Sequence, residues 1–356
     1  MPTLKVFAID HAGTGVASSL EASSAAFSGT SAGAPPGPSA ASIDGFAAIA
    51  APTALAALRH HQMACGALFA DLAGVAGVEL IAPAEGSFRQ RFEAGVRAAD
   101  AVWILAPPAR GMLERLSREV LRSGRILLGS RPGALRVTAS RRRSAHALAR
   151  AGIDAVPTYA PGQRLPLDGG AWVVRPDAGA GWFDSHLFSS ASAALGWIAA
   201  RASATPGPAA TPYVLQPFIP GKLGNLSLLC RDGAAQLLAC NDQRVAMRDN
   251  QFHVLGTTVN SLADPDGVFE GLAQAVAAAI PGLWGYVGID FVLAAQGVVV
   301  LEVSTHLGPA YAGLHASLGC NPAALVIDLL ARPAGGSAAR PKPLAVAVDL
   351  AAFDDA

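Results

Sequence analysis

The chain has 356 residues, long enough for two or three domains. Lys plus Arg and Asp plus Glu number 26 each, so the net charge is zero and no footprint for nucleic acid or an anionic membrane surface is expected. Charged residues make up only 15%, yet the apolar excess is largely scattered alanine, and no run approaches the ~20 apolar residues of a membrane span.

Taken in order, Leu4–Ile9 is a β run. It lacks the basic segment, apolar core and cleavage site of a signal peptide, and reads as a first strand. From Ala12 to Ser42 the composition collapses to Ala, Ser, Gly and Pro, the signature of a flexible insertion. Between Pro52 and Leu72 the residues Leu55, Leu58, Met63, Leu68 and Leu72 fall near one helical face. His60 and His61 lie there without an acid at ligand spacing and read as surface or packing histidines. Strands at 77–83, 101–107 and 125–130 alternate with helices at 88–99 and 111–122, which predicts a doubly wound α/β unit on a parallel sheet. No GxGxxG follows a strand, so a dinucleotide-dependent oxidoreductase is disfavoured. Cys65, Cys230, Cys240 and Cys320 are far apart and show no CxxC or Cys/His metal spacing. They read as reduced, buried thiols of a cytoplasmic protein.

A basic helix, Ser140–Ala151, comes next. Arg141, Arg142 and Arg143 at its start oppose the helix dipole and hint at an anionic partner; a solvated helix start is the plainer alternative. The run 171–183 delivers Arg175 and then a turn of small residues from Ala178 to Gly181. Glycines let the backbone approach a phosphate closely, and a neighbouring cation neutralises it, although such turns are common. Residues 202–212 have the composition of a linker. A strand over 213–221 ends at Pro-Gly, and β runs at 225–230 and 235–240 flank Asp232-Gly233, a hairpin signal. The stretch 240–260 is polar and reads as an irregular site loop. Asp264-Pro265 predicts a capped helix to Ile280 with proline first, and Asn321 caps a helix to Leu330. One late β run covers 344–350.

The stretch from Trp284 to Tyr311 carries the most chemistry. If its two β runs form a hairpin with Asp290 opposite Glu302, Gly297 falls where the loop needs a positive φ. Strand alternation then groups Val298, Val300, Glu302 and Ser304 on one face. Two adjacent carboxylates oppose each other's ionisation, and a divalent cation resolves the conflict. Oxygen ligands favour Mg²⁺, held by one or two carboxylates plus substrate phosphates. The alternative is a structural hairpin whose acids reach solvent.

In this order the α/β unit, the basic helix, Arg175 before its Gly-rich turn, the QPFI strand (216–219), the NDQR segment (241–244) and the GIDFV…LEV hairpin resemble the ATP-grasp superfamily of carboxylate–amine ligases. Within it, LLACNDQRV, HVLGTTVN and LEVSTHLGPAYAGL are most similar to the tyramine–glutamate ligases of methanofuran biosynthesis. The resemblance implies a mixed α/β fold with an N-terminal α/β domain over 1–135, a lid over 136–212, an antiparallel-sheet domain carrying the metal over 213–332, and a tail over 333–356. It implies Arg142 and Arg175 on ATP phosphates, Gly179 and Gly181 in the phosphate-covering loop, and Gln216, Phe218 and Ile219 in the hinge strand at adenine. Asp290 and Glu302 then carry Mg²⁺, with Ser304 where an asparagine is usual. Asn241, Gln243 and Arg244 line the acceptor side, Asn241 and Arg244 with catalytic roles. Tyr311 and His306 are candidates for the acceptor pocket.

The implied reaction joins the side-chain carboxylate of glutamate to tyramine or a related aromatic amine through an acylphosphate, with ADP released. The implied partners are the small-molecule acid and amine, with no nucleic acid or membrane, and a homodimer as one assembly open to the chain. The pattern is broken at several points. Arg141-Arg142 stands for an Asp-Lys pair, Arg175 for a lysine, Pro108 for an acid and His306 for an arginine. A diverged, non-catalytic nucleotide-binding subunit is the competing expectation.

Overall fold

The computed structural model describes residues 3–11, 51–106, 111–166, 170–179, 182, 184–204, 212–331 and 343–350. The 12–42 insertion, Pro108, Gly181 and most of the expected linker and tail lie outside the described residues.

The first half alternates strands and helices: β1 (Leu4–Asp10), α1 (Ala51–Ala73), β2 (Val78–Leu80), α2 (Phe88–Ala98), β3 (Ala101–Leu105), α3 (Met112–Arg122), β4 (Ile126–Leu127) and α4 (Pro132–Thr138). The strands form a parallel sheet in the order β2-β1-β3-β4. β1 and β3 are uninterrupted apolar runs because both faces are covered. Val6, Ala8, Trp103 and Leu105 pack with Leu68 and Leu72 of α1 on one side. Phe7, Ile9, Val102 and Ile104 pack with Phe92, Leu116 and Val120 on the other. Gly95 of α2 admits the Phe7 ring, which would lie 2.2 Å from a Cβ placed there.

The chain continues through α5 (Arg141–Arg150), β5 (Trp172–Pro176), β6 (His186–Phe188), α6 (Ala191–Ala204), β7 (Tyr213–Pro217), β8 (Lys222–Arg231), β9 (Ala234–Arg248), β10 (Gln251–Val259), α7 (Val268–Ala279), β11 (Gly285–Ala294), β12 (Gly297–Ser304), α8 (Tyr311–Leu318), α9 (Pro322–Asp328) and β13 (Val346–Asp349). A nine-stranded sheet runs β12-β11-β8-β9-β10-β6-β5-β7, with β13 added beside β10. The fold is therefore mixed α/β, a parallel sheet joined to a large antiparallel one, as expected. One face of the large sheet packs on α7 through Phe269, Ala273 and Val276 against Leu226, Val287, Ile289 and Phe291. Each such large side chain contributes roughly 1.5–3 kcal/mol by leaving water.

Two expectations change. The stretch 240–260 is not an irregular loop but most of the β9–β10 hairpin, paired from Arg248–Gln251 to Asp242–Thr258. Its turn residues Asp249 and Asn250 both have positive φ, 52° and 60°, the pattern of a two-residue turn whose twist suits a hairpin. Asp and Asn tolerate that conformation, and their adjacency was the available signal. The helix expected from Pro265 starts three residues later, at Val268. Asp264 still caps it, accepting the Phe269 and Glu270 N–H groups at 3.0 and 2.9 Å. Asn321 caps α9 as expected, accepting from Ala323 and Ala324.

Replacing Asn250 with valine puts a β-branched residue at φ 60° and should cost about 1–2 kcal/mol, whereas Asn250→Gly should be neutral or slightly stabilising. Urea unfolding midpoints of the two variants measure the difference.

Candidate functional site

The β11–β12 hairpin places Asp290 directly opposite Glu302, and Gly297 turns it with φ 130°. One residue breaks the expected alternation. Phe291 pairs with Val300, so Leu301 is the extra residue of a bulge. Val298 and Val300 therefore join the core with Phe291, while Val299 and Leu301 pack on the opposite side with Val292. Beyond the bulge Val303 returns to the core, and Glu302 stands on the site face. The expected grouping of Val298 and Val300 with Glu302 and Ser304 fails for this reason.

Neither acid reaches solvent: Asp290 is 7% exposed and Glu302 5%. The register carries a polar row across four neighbouring strands, Glu302–Asp290–Asn225–Asn241. Asn225 donates its amide to Asp290 Oδ1 at 2.7 Å, and Gln243 donates to the same oxygen at 3.1 Å. Asn241 donates to Asn225 Oδ1 and to Ser227 Oγ, both at 3.1 Å, and accepts the Asn260 N–H. Glu302 Oε2 accepts from Arg141 Nη2 at 2.8 Å and from Arg175 Nη2 at 3.2 Å. Arg141 also donates to the Pro176 carbonyl, and Arg175 stacks on Trp182, 4.7 Å from the ring centroid.

Two carboxylates and two guanidiniums thus meet inside the protein. Burial raises the Asp290 carboxyl to about 6, and nearby Glu302 adds to the shift, against the amide donors and Arg175. Burial pushes Arg175 down, with Arg141 adding to the effect, and Glu302 and Asp290 oppose it. Ser304 lies opposite Gly288, where a Cβ would sit 3.7 Å from the serine Cβ and 3.4 Å from the Asn225 amide. Two opposed buried carboxylates and a hydroxyl are hard oxygen donors that suit Mg²⁺, and the flanking guanidiniums suit the phosphates that accompany it.

Beside the acids lies a cavity of about 150 Å³ lined by Val173, Trp182, Phe218, Met247, Val292 and Leu301, with Arg175 on its wall. An apolar slot with the buried Arg175 on its wall suits a planar base with a phosphate chain.

Two domain families match parts of the chain. An ATP-grasp domain family matches residues 138–308, and a pre-ATP-grasp domain family matches residues 70–135. Over 138–308 the chain is thus similar to ATP-grasp domains. No curated protein sequence matches it significantly. An ATP-grasp superfamily protein from Archaeoglobus fulgidus aligns with a TM-score of 0.59 at 20% identity, covering 92% of this chain and 88% of that one. D-alanine–D-alanine ligase from Bacillus anthracis, solved with ATP, aligns at 0.58 and 14% identity over 92% and 96%. The biotin carboxylase domain of Hydrogenobacter thermophilus 2-oxoglutarate carboxylase, solved with MgADP and bicarbonate, aligns at 0.56 and 17% over 75% and 61%.

The remaining expected residues fall into two groups, near this site and away from it. Gly179 borders it: a Cβ there would lie 3.6 Å from Arg141 Nη1. Gln216 and Ile219 line the cavity with Phe218; the Gln216 amide donates to Thr158 Oγ1 at 2.9 Å, and Phe218 N–H donates to the Ala171 carbonyl. Gly181 lies outside the described residues.

Other residues stand apart. Arg142, expected on a phosphate, has a half-exposed side chain whose Nε is 3.8 Å from Asp177. Its neighbour Arg141 occupies the site instead, because the first helical residue of α5 points at Glu302 while Asp177 takes the Ser140 hydroxyl and the Arg142 N–H. Arg244 leaves the strand face opposite to Gln243 and pairs with Asp349 of β13. Asn241 is fully buried within the polar row and reaches Asp290 through Asn225. Tyr311 is a core residue, edge-on to Tyr286 at 5.4 Å, and burial with Asp71 raises its phenol. His306 lines a different cavity, beside Thr305 and Ser130. Burial lowers its imidazole to about 4 against the attraction of Glu302, so it is neutral at pH 7.

Because the folded Asp290 carboxyl titrates near 6 against an ordinary 3.8, the folded chain holds an extra proton between those values. Stability of chelator-treated protein should therefore fall as pH rises from about 4 to 6 and then level. Asp290→Asn should remove that fall and stabilise the chelated protein above pH 6 by about 1–3 kcal/mol, read from urea midpoints between pH 4 and 8.

Proposed function

We propose that the chain is an ATP-dependent ligase that joins a carboxylate to an amine and releases ADP and phosphate. The observation that carries this reading is the buried, directly opposed pair Asp290 and Glu302, flanked by Arg141 and Arg175 beside a base-sized apolar cavity. Amide formation from a carboxylate in water is uphill, and transfer of the terminal phosphoryl group to the acid supplies a good leaving group. Asp290 and Glu302, with the Ser304 hydroxyl, would hold Mg²⁺, which supplies charge neutralisation at the phosphates.

The chain's own residues align and neutralise. Arg141 and Arg175 bind anionic oxygens in place of Glu302, while Asn225 and Gln243 fix the Asp290 carboxylate. Trp182, within the expected lid, and Gln216, in the hinge strand, both line the slot; closure of the lid over it would exclude water, which would otherwise hydrolyse the activated acid. The resemblance of the 237–245, 253–260 and 301–314 segments to tyramine–glutamate ligases supports glutamate as the acid and tyramine or a related aromatic amine as acceptor, in methanofuran-type cofactor synthesis.

A second reading rests on Glu302. It is already neutralised by two buried arginines, so the cluster is electrically complete without an ion. That is the arrangement of a nucleotide-binding subunit that has lost turnover.

ADP release with a panel of amino acids and amines separates the readings. Under the ligase reading one acid–amine pair gives turnover, and Asp290→Asn and Arg175→Met each lower kcat/KM at least about 100-fold, the scale for removing one charge-stabilising group. Tight ATP binding, no ADP with any pair and no effect of Asp290→Asn would leave only the second reading. Arg141→Met should impair turnover comparably to Arg175→Met, whereas Arg142→Ala should stay within about twofold of wild type, as suits an exposed pair worth under 1 kcal/mol.

A further inference from the structure

The parallel sheet ends in a side-chain cluster that the Asp290–Glu302 site does not use. Asp10 is the last residue of β1, and open α/β sheets place ligand sites beyond the carboxyl ends of their strands. His61 and Cys65 lie four residues apart on α1, on one helical face. The tertiary fold brings them to Asp10: His61 Nε2 is 2.7 Å from Asp10 Oδ1, and Cys65 Sγ is 3.5 Å from the same nitrogen. One donor atom from each residue lies within 4.8 Å of the other two. All three groups are substantially buried, with Asp10 8% and Cys65 3% exposed. His61, expected as a surface or packing histidine, does meet an acid, one that lies 51 residues away in sequence.

An Asp–His–Cys set has two chemical uses. A nucleophilic relay needs the acid on one ring nitrogen and the thiol on the other, with the thiol ionised. Here the thiol approaches the nitrogen that already faces Asp10, and Nδ1 is farther away, at 3.9 Å. Three donors converging on one point instead suit an ion, which stands about 2.0–2.3 Å from N, O and S ligands in four-coordinate sites. A thiolate and an imidazole select against Mg²⁺ and in favour of Zn²⁺-class ions, so this set differs in kind from the oxygen donors at Asp290 and Glu302.

We propose that Asp10, His61 and Cys65 bind a first-row transition-metal ion of the Zn²⁺ class in a three-ligand site. Its fourth position opens towards the small cavity of about 30 Å³, room for a water, that His61 lines together with Ser130, Thr305 and His306. Three protein ligands and one open position are the pattern of a site that also accepts an exogenous oxygen or nitrogen donor. The inference does not depend on the ligase reading, because it concerns ion binding by a different domain.

The test uses the full chain, treated with chelator and titrated with Co²⁺ as a spectroscopic probe. One Co²⁺ per chain should bind with a thiolate-to-metal charge-transfer band, and Zn²⁺ should displace it. Cys65→Ser should abolish the band, and His61→Ala and Asp10→Asn should each weaken Co²⁺ binding by more than the roughly 10–100-fold typical of outer-shell partners. Asp290→Asn should leave the band unchanged. A wild-type chain without the band, or a band that survives Cys65→Ser in protein that circular dichroism shows to be folded, overturns the proposal. Should that variant not fold, anomalous scattering at the zinc edge from wild-type crystals decides: a peak bonded to all three side chains supports the site, and its absence at these residues overturns it.

Discussion

Glu302 is bound by two arginines that come from separate elements, Arg141 at the start of α5 and Arg175 on β5. Much else follows from that contact. Removing a carboxylate and a guanidinium from water costs several kcal/mol per ion, and the mutual attraction repays it only with good geometry and further hydrogen bonds. The protein supplies those: the Pro176 carbonyl for Arg141, the Trp182 face for Arg175, and the amides of Asn225 and Gln243 for the neighbouring Asp290. The pair is thus weak evidence for stability and stronger evidence for a specified arrangement, since it fixes where β5 and α5 sit relative to the β11–β12 hairpin. It is also replaceable charge for charge. An anion that takes the guanidiniums frees the carboxylate for a cation, and neither substitution leaves a buried charge alone.

The polar row beneath this cluster explains how a sheet can hold it. Glu302, Asp290, Asn225 and Asn241 are directly opposed across β12, β11, β8 and β9, so each side chain finds its partner sideways instead of in solvent. Asn241 continues the row through Ser227, whose hydroxyl meets that of Tyr286 at 3.2 Å, and Tyr286 packs edge-on to Tyr311. These tyrosines belong to the core shared with β1, β3 and α1. The metal-type acids and the parallel sheet therefore rest on one continuous packed unit, in which an unsatisfied member would cost about 1–3 kcal/mol.

Much of this was legible in the sequence, for reasons that differ by element. β1 and β3 were readable as uninterrupted apolar runs, and the Asp290–Glu302 pairing from Gly297 and the two flanking β runs. The β9–β10 hairpin was not, because polar residues occupy both of its faces and mask the alternation, leaving only Asp249-Asn250 as a turn signal. Arg141 and Arg142 were distinguishable only once the cap was known. Asp177 lies 35 residues from Arg142, and it takes the Arg142 backbone N–H while Arg141 points at Glu302. Arg244 was misplaced by a different cause: adjacent residues on a strand face opposite ways, so a motif read as a block, NDQR, divides between two faces.

The bulge at Leu301 shows why the site could not be drawn from alternation alone. Without an extra residue, a side chain facing the same way as Val300, which is in the core, would put Glu302 in that core too. A lone carboxylate among Phe269, Phe291 and Ile289 would be protonated or would unfold the hairpin. With the bulge, Val298 and Val300 keep their apolar contacts below, and Glu302 emerges above, opposite Asp290 and within reach of both arginines. Val300 also bonds to the chain beyond its own sheet, donating to the Asp154 carbonyl and accepting the Val156 N–H, which anchors the strand just before it deforms. The irregularity is thus what lets one strand serve a hydrophobic core and a charged site within three residues.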